Sequence, residues 1–155
     1  MRPALMEIAE RIANNGYYVL LPNLFYRVEF DASHGMKVFT DPDLRKDLMT
    51  RVMPSASPAN IMRDSEALFA HLAARSEVRA GRIGITGYCM GGRLAFLANA
   101  VHGARLAASV SFYGGGIAPA VPRGRRKPLV DRMADLHAPQ LLIYGGRDAS
   151  IGSDE

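Results

Sequence analysis

The chain has 155 residues, 48% of them hydrophobic, which is one domain's worth with a substantial core. Its single cysteine excludes an internal disulfide, no apolar run approaches the ~20 residues of a membrane helix, and no signal-peptide pattern opens it, so a cytoplasmic protein away from membranes is expected. The net charge of +4 comes largely from Arg123, Arg125, Arg126 and Lys127; Pro122, Gly124 and Pro128 make that run a solvated loop, and without a recognition motif no nucleic-acid partner is expected.

Pro3 to Asn15 is expected to be a helix, with Pro tolerated in its first turn and Leu5, Ile8, Ala9 and Ile12 forming one apolar stripe. Asn14, Asn15 and Gly16 stop it. Tyr17 to Leu21 reads as a short buried strand, ended by Pro22 and Asn23. From Leu24 to Ser57 the signals are mixed, as in an excursion over a sheet edge. Within it, Asp41-Pro42-Asp43 can start a helix on which Leu44, Leu48, Met49 and Val52 share a face. Ser55 to Pro58 caps a longer helix, about Ala59 to Ala74, with Ile61, Leu68, Phe69 and Leu72 inward.

The stretch from Arg82 to Leu97 carries the chemistry. Ile83 and Ile85 mark a buried strand, Gly87-Tyr88-Cys89-Met90-Gly91-Gly92 is too glycine-rich to prolong it, and Leu94, Ala95, Phe96 and Ala98 mark a helix. A strand turning sharply into a helix with one nucleophile-capable side chain at its apex is a nucleophile elbow. Gly87 and Gly91 are expected where a Cβ would collide with crossing backbone, and Gly92 where the helix starts close against the sheet. At a helix N-terminus the Cys89 thiolate is stabilised by backbone N–H groups and the helix dipole. The competing readings are a small buried hydrophobe and a phosphate-binding loop; the latter lacks the Lys-Ser/Thr pair and the longer glycine spacing.

That helix ends near His102-Gly103. Leu106 to Tyr113 is the next strand, Leu129 to Leu136 a short helix, and Gln140 to Tyr144 a strand ending at Gly145-Gly146. Helices alternating with short apolar strands predict an α/β fold with a mostly parallel sheet flanked by helices. Chemistry in such sheets gathers at the carboxyl ends of the strands. Four stretches qualify: Asn23 to Arg27, the elbow, Tyr113 to Gly116, and Gly145 to Ser150. Asp148 is the carboxylate of the last, and an acid after the nucleophile fits the chain order nucleophile, acid, histidine. Alone, it would read as the cap of a turn.

GYCMGG after IGITG, preceded by GYYVLLPNLFYR and followed by SFYGGG and LLIYGGRD, resembles the dienelactone hydrolase family. The resemblance covers nearly all of the chain. It implies an α/β-hydrolase fold, a Cys-His-Asp triad and no cofactor; the scattered histidines, with no Cys-Cys or His-x-x-x-His spacing, give no reason to expect a metal. Cys89 would be the nucleophile, Asp148 the triad acid, the Met90 N–H an oxyanion donor, and Tyr113 a pocket-lining residue. Against the family pattern the chain lacks N-terminal strands and the C-terminal strand-helix unit, so residues 1–155 read as a single, incomplete hydrolase domain, an internal piece of a longer enzyme. The missing strand would lie between Tyr17–Leu21 and the elbow strand.

The family's histidine follows its acid. The four histidines here lie before Asp148: His137 at the far end of its strand, His102 about 20 Å from Cys89 at helical rise, and His71 on the preceding helix. His34 alone lies in a loop leaving the carboxyl edge; it is the one candidate for a substitute base and otherwise reads as a loop residue. The expected activity of the complete enzyme is hydrolysis of a lactone or carboxylic ester, a small-molecule substrate, by acyl transfer through Cys89. Alone, residues 1–155 are expected to be inactive. The alternative function is a catalytically inactive binding or scaffold protein on the same fold. The sequence leaves the oligomeric state open.

Overall fold

A computed structural model describes residues 3–79, 81–118, 128–148 and 151. The basic run at 123–127 lies outside them. The chain divides into two compact units, Met1–His71 and Leu72–Glu155.

In the first unit, helix α1 spans Pro3–Ala13. Its expected extension to Asn15 is instead a run of turns: the Asn15 and Gly16 N–H groups donate to Ile12 and Ala13, and Gly16 takes φ +85°, a conformation suited to glycine. Tyr17 to Leu21, expected as a buried strand, is irregular, and Tyr17 and Tyr18 are exposed. A strand exists by pairing, and none of the described strands pairs with this segment. Helix α2 is Lys37–Thr40 and α3 is Pro42–Asp47. As its sequence predicts, α3 is capped by Asp41, whose carboxylate accepts from the Asp43 and Leu44 N–H groups at 2.9 and 3.1 Å, with Pro42 in the first turn.

The chain then widens into a π turn over Leu48–Val52 before α4, Met53–Ser55, and α5, Pro58–Ala73. Leu48 and Val52 bury themselves with Val38, packed by Phe25, Val28, Phe30, Leu44 and Met53. Met49, expected on that face, is exposed, because Leu44, Leu48 and Val52 at four-residue spacing already fill it. The excursion from Leu24 to Ser57 thus has a small core of its own. Within α5, Ile61 is buried and Leu68, Phe69 and Leu72 are half-buried.

The second unit is a parallel sheet in the order β1-β2-β3, comprising β1 (Ile83–Tyr88), β2 (Leu106–Phe112) and β3 (Gln140–Ile143). Helix α6, Met90–His102, connects β1 to β2. β1 continues through Gly87 and Tyr88, past the expected stop, because both keep register with Ser111 and Phe112. Ile83 and Ile85 are only half-buried, since among the described strands β1 pairs on one edge. Most of α6 is buried, including Leu94, Ala95, Phe96, Ala98 and Ala100. Phe96, 1% exposed, packs with Ile117 and Leu129, and burying its ring contributes about 3 kcal/mol. The expected short helix after the basic run is a 3-10 turn, Val130–Asp135.

At the far end of α6 the fully buried Asn99 side chain ties helix to sheet. Its amide donates to the Ala138 carbonyl (2.9 Å) and its oxygen accepts from the Ala138 N–H (3.1 Å). None of the described helices is long and apolar enough to cross a membrane.

Candidate active site

The sheet's carboxyl edge brings three of the sequence-predicted positions onto adjacent strand ends. Cys89 is exposed at the β1–α6 turn, with φ 53° and ψ −117°. That backbone is left-handed, which costs a non-glycine residue about 1–3 kcal/mol and persists only where its surroundings hold it. Two hydrogen bonds do so: the Cys89 N–H donates to the Phe112 carbonyl at 3.0 Å, and its carbonyl accepts from the Arg93 N–H at 3.1 Å. The exposure excludes a buried structural cysteine.

The glycines explain how the turn closes. A Cβ on Gly87 would fall onto the Gly91 carbonyl, and one on Gly92 would stand 2.7 Å from the Phe112 carbonyl oxygen. Gly91, expected to be sterically required as well, is not: a Cβ there meets nothing within 4 Å. Met90 opens α6, so its N–H belongs to the first-turn groups that have no acceptor within the helix.

Tyr113 follows β2 directly, and since Tyr88 pairs with Phe112, Cys89 and Tyr113 lie side by side. Tyr113 also has a positive φ, 41°. Cys89 and Tyr113 are thus two strained residues next to each other on one edge. Around them the Tyr88 and Phe112 rings stack at 4.9 Å, and the Tyr88 and Tyr113 rings stand tilted at 6.1 Å. Asp148 follows the turn after β3, its N–H donating to the Gly145 carbonyl at 3.1 Å. Cys89 and Asp148 therefore belong to strand ends two places apart, a separation of roughly 10 Å at ordinary strand spacing.

The histidines of this unit are at the other edge. His102 ends α6 and is buried, and His137 precedes β3, beside Gly103. In the first unit His34 is half-exposed, 4.0 Å from Asp31, and His71 lies 3.4 Å from the Tyr18 hydroxyl.

Sequence reasoning missed three side chains. Tyr88 is in the motif, yet its stacking depends on the pairing of β1 with β2. Arg93 donates to the Gly116 carbonyl and, at 3.4 Å, to that of Gly115. The Tyr144 hydroxyl donates to the Gly114 carbonyl at 3.2 Å. Arg93 left one signal: a cation in a helix's first turn opposes the dipole and so calls for another partner. Beneath the turn the Ser111 hydroxyl is fully buried without a partner among the described residues, in the space left by Gly92 and Gly114.

A second polar cluster belongs to the first unit. Arg27 forms a bidentate pair with Asp64 and lies 4.6 Å over the Tyr26 ring, while the Tyr26 hydroxyl donates to Asp64. Hydrogen bonding from Arg27 is the main cause holding the Asp64 carboxyl below its ordinary value. The cluster borders a cavity of ≈ 280 Å³ lined by Pro22, Leu24, Ile61 and Leu68.

Residues 2–155 match the dienelactone hydrolase family. The chain belongs to that family. Relatives in it include a "Putative carboxymethylenebutenolidase" of Methylorubrum extorquens, 31% identical over 147 residues, which are 95% of this chain and 47% of that protein. A protein of the same name from Salmonella typhimurium is 35% identical over 148 residues, 95% of this chain and 50% of its own. The chain spans about half the length of the curated relatives it matches. The crystal structure of a "Putative Dienelactone Hydrolase" from Klebsiella pneumoniae superposes with a TM-score of 0.76 at 33% identity, covering 99% of this chain and 59% of the other. The parallel sheet flanked by helices is therefore the α/β-hydrolase-like fold of this dienelactone hydrolase family.

Proposed function

We propose that the protein carrying this chain is a cytoplasmic hydrolase that cleaves a lactone or carboxylic ester by acyl transfer, with Cys89 as nucleophile. The observation that carries the reading is the exposed, left-handed Cys89 at a strand-to-helix turn in which Gly87 and Gly92 leave no room for a Cβ. Family membership supports a hydrolase with a small-molecule substrate.

In this mechanism the Cys89 sulfur attacks the carbonyl carbon, forming an S–C bond while the carbonyl electrons move onto oxygen. The Met90 N–H donates to that oxyanion, where charge develops in the transition state. Collapse expels the alkoxide or enolate, which takes a proton from a histidine; the same histidine then deprotonates the water that releases the acid and restores the thiolate. Asp148 accepts the histidine's other N–H, fixing its tautomer. Tyr113 lines the acyl pocket. In this reading the histidine comes from outside the chain: within the second unit His102 and His137 stand at the opposite edge of the sheet from Cys89, and about half of the relatives' length lies outside the match. Residues 1–155 alone are accordingly inactive.

Kinetics on an activated ester test this. In the intact protein Cys89→Ala should lower kcat/KM by at least about 10⁴-fold and Asp148→Asn by about 10³-fold, with the fold unchanged by circular dichroism. Near-normal turnover by the Cys89→Ala variant would refute the reading. A well-folded protein in which wild type and Cys89→Ala are equally inert towards esters and lactones would favour a scaffold.

A further inference from the structure

We propose that Arg93 and Tyr144 form a clamp on the carbonyls of Gly114, Gly115 and Gly116, and that this clamp makes them positioning residues for the substrate wall at Tyr113. The inference rests on the hydrolase reading above.

Three successive glycines follow Tyr113, and such a run has more backbone freedom than any other tripeptide. Here all three of its carbonyls accept hydrogen bonds from side chains. Tyr144 holds Gly114, and Arg93 holds both Gly115 and Gly116. The two donors come from different elements: Arg93 from the first turn of α6, four residues after Cys89, and Tyr144 from the residue after β3, four before Asp148. The clamp thus ties the helix that starts at the nucleophile, the loop that follows Tyr113, and the strand that leads to the acid.

The packing is close. A Cβ on Gly114 would stand 2.7 Å from the Arg93 backbone nitrogen, and one on Gly116, whose φ is +78°, would stand 2.7 Å from Arg93 Nη1. Tyr113, immediately before the clamped loop, keeps a left-handed backbone that a free glycine run would let relax. Its own N–H donates to the Ile143 carbonyl at 2.7 Å, so the loop is fixed on both sides of the tyrosine. An arginine placed against the helix dipole is accounted for by these carbonyls.

The test compares two esters of one leaving group in the intact protein: 4-nitrophenyl acetate, whose acyl group is too small to reach the wall, and 4-nitrophenyl benzoate, whose ring lies against it. Arg93→Met and Tyr144→Phe should each raise KM for the benzoate about tenfold and leave kcat/KM for the acetate within about twofold. Arg93→Lys should recover part of the loss, and the double variant should lose less than the product of the single losses. Gly116→Ala, which displaces the guanidinium, should reproduce the Arg93→Met effect and decides the matter if that variant does not fold. An unchanged benzoate-to-acetate ratio in these variants, or an equal loss on both esters, would overturn the clamp. Cys89→Ala is run in parallel: sustained turnover there would instead overturn Cys89 as the nucleophile, on which the reading above rests.

Discussion

Cys89 occupies a backbone conformation that glycine adopts freely and cysteine does not. Replacing it with glycine should therefore raise stability by about 1 kcal/mol in denaturant titration while removing the nucleophile. Gly87 lies on the other side of the same constraint. Its Cβ would coincide with the Gly91 carbonyl, so Gly87→Ala should destabilise by about 3 kcal/mol and blunt the reactivity of Cys89 towards alkylating reagents. These residues were legible in the sequence because each glycine answers a local steric demand. Gly91 shows how far that goes: the motif contains it, but the space around its Cβ position is open. Arg93 and Tyr144 were not legible, since the carbonyls they hold are 22 to 30 residues away along the chain and meet them only once the sheet is formed.

At the scale of elements, patterns with short-range causes translate well. Asp41 caps α3, and α6 follows its strand as the glycine turn requires. The Tyr17–Leu21 segment fails for the opposite reason: its apolar, β-prone sequence needs a neighbouring strand. Helix α6 is held at its far end by Asn99. Asn99→Ala leaves the Ala138 N–H and carbonyl without their buried partners and should cost about 3 kcal/mol, measured by urea unfolding of the second unit. In the first unit, Asp64 has its folded-state value lowered chiefly by the hydrogen bonds from Arg27. Its contribution to stability is therefore present above the unfolded carboxylate value of about 4 and lost as pH falls through the lower folded value. Asp64→Asn should be less stable than wild type at neutral pH, and the difference should shrink on acidification. An undiminished difference at about pH 3 would contradict that assignment.

At the largest scale, the predicted parallel α/β fold is present among the described residues as three strands, with β1 and β3 each paired on one side there. Leu141, Leu142 and Ile143 on β3 are exposed, an unusual state for a parallel strand, which normally has both faces covered. Open apolar edges promote association. Expressed alone, residues 1–155 should self-associate in size-exclusion chromatography, and a lysine at Leu141 should reduce this. The sequence could place the sheet because apolar runs alternate with helices. It could not mark a partner for Cys89, because the two histidines of the second unit, His102 at the end of α6 and His137 ahead of β3, stand at the opposite edge of the sheet.

As the proposed nucleophile, Cys89 becomes acylated during turnover. The direct measurement is to quench the intact protein with acid a few milliseconds after mixing with 4-nitrophenyl acetate and to weigh the peptide containing Cys89. An acetyl increment is expected on that peptide, formed with the burst of nitrophenol, chased away by water, and absent after Cys89→Ala. Product release with an unmodified Cys89 peptide at every time point would contradict it.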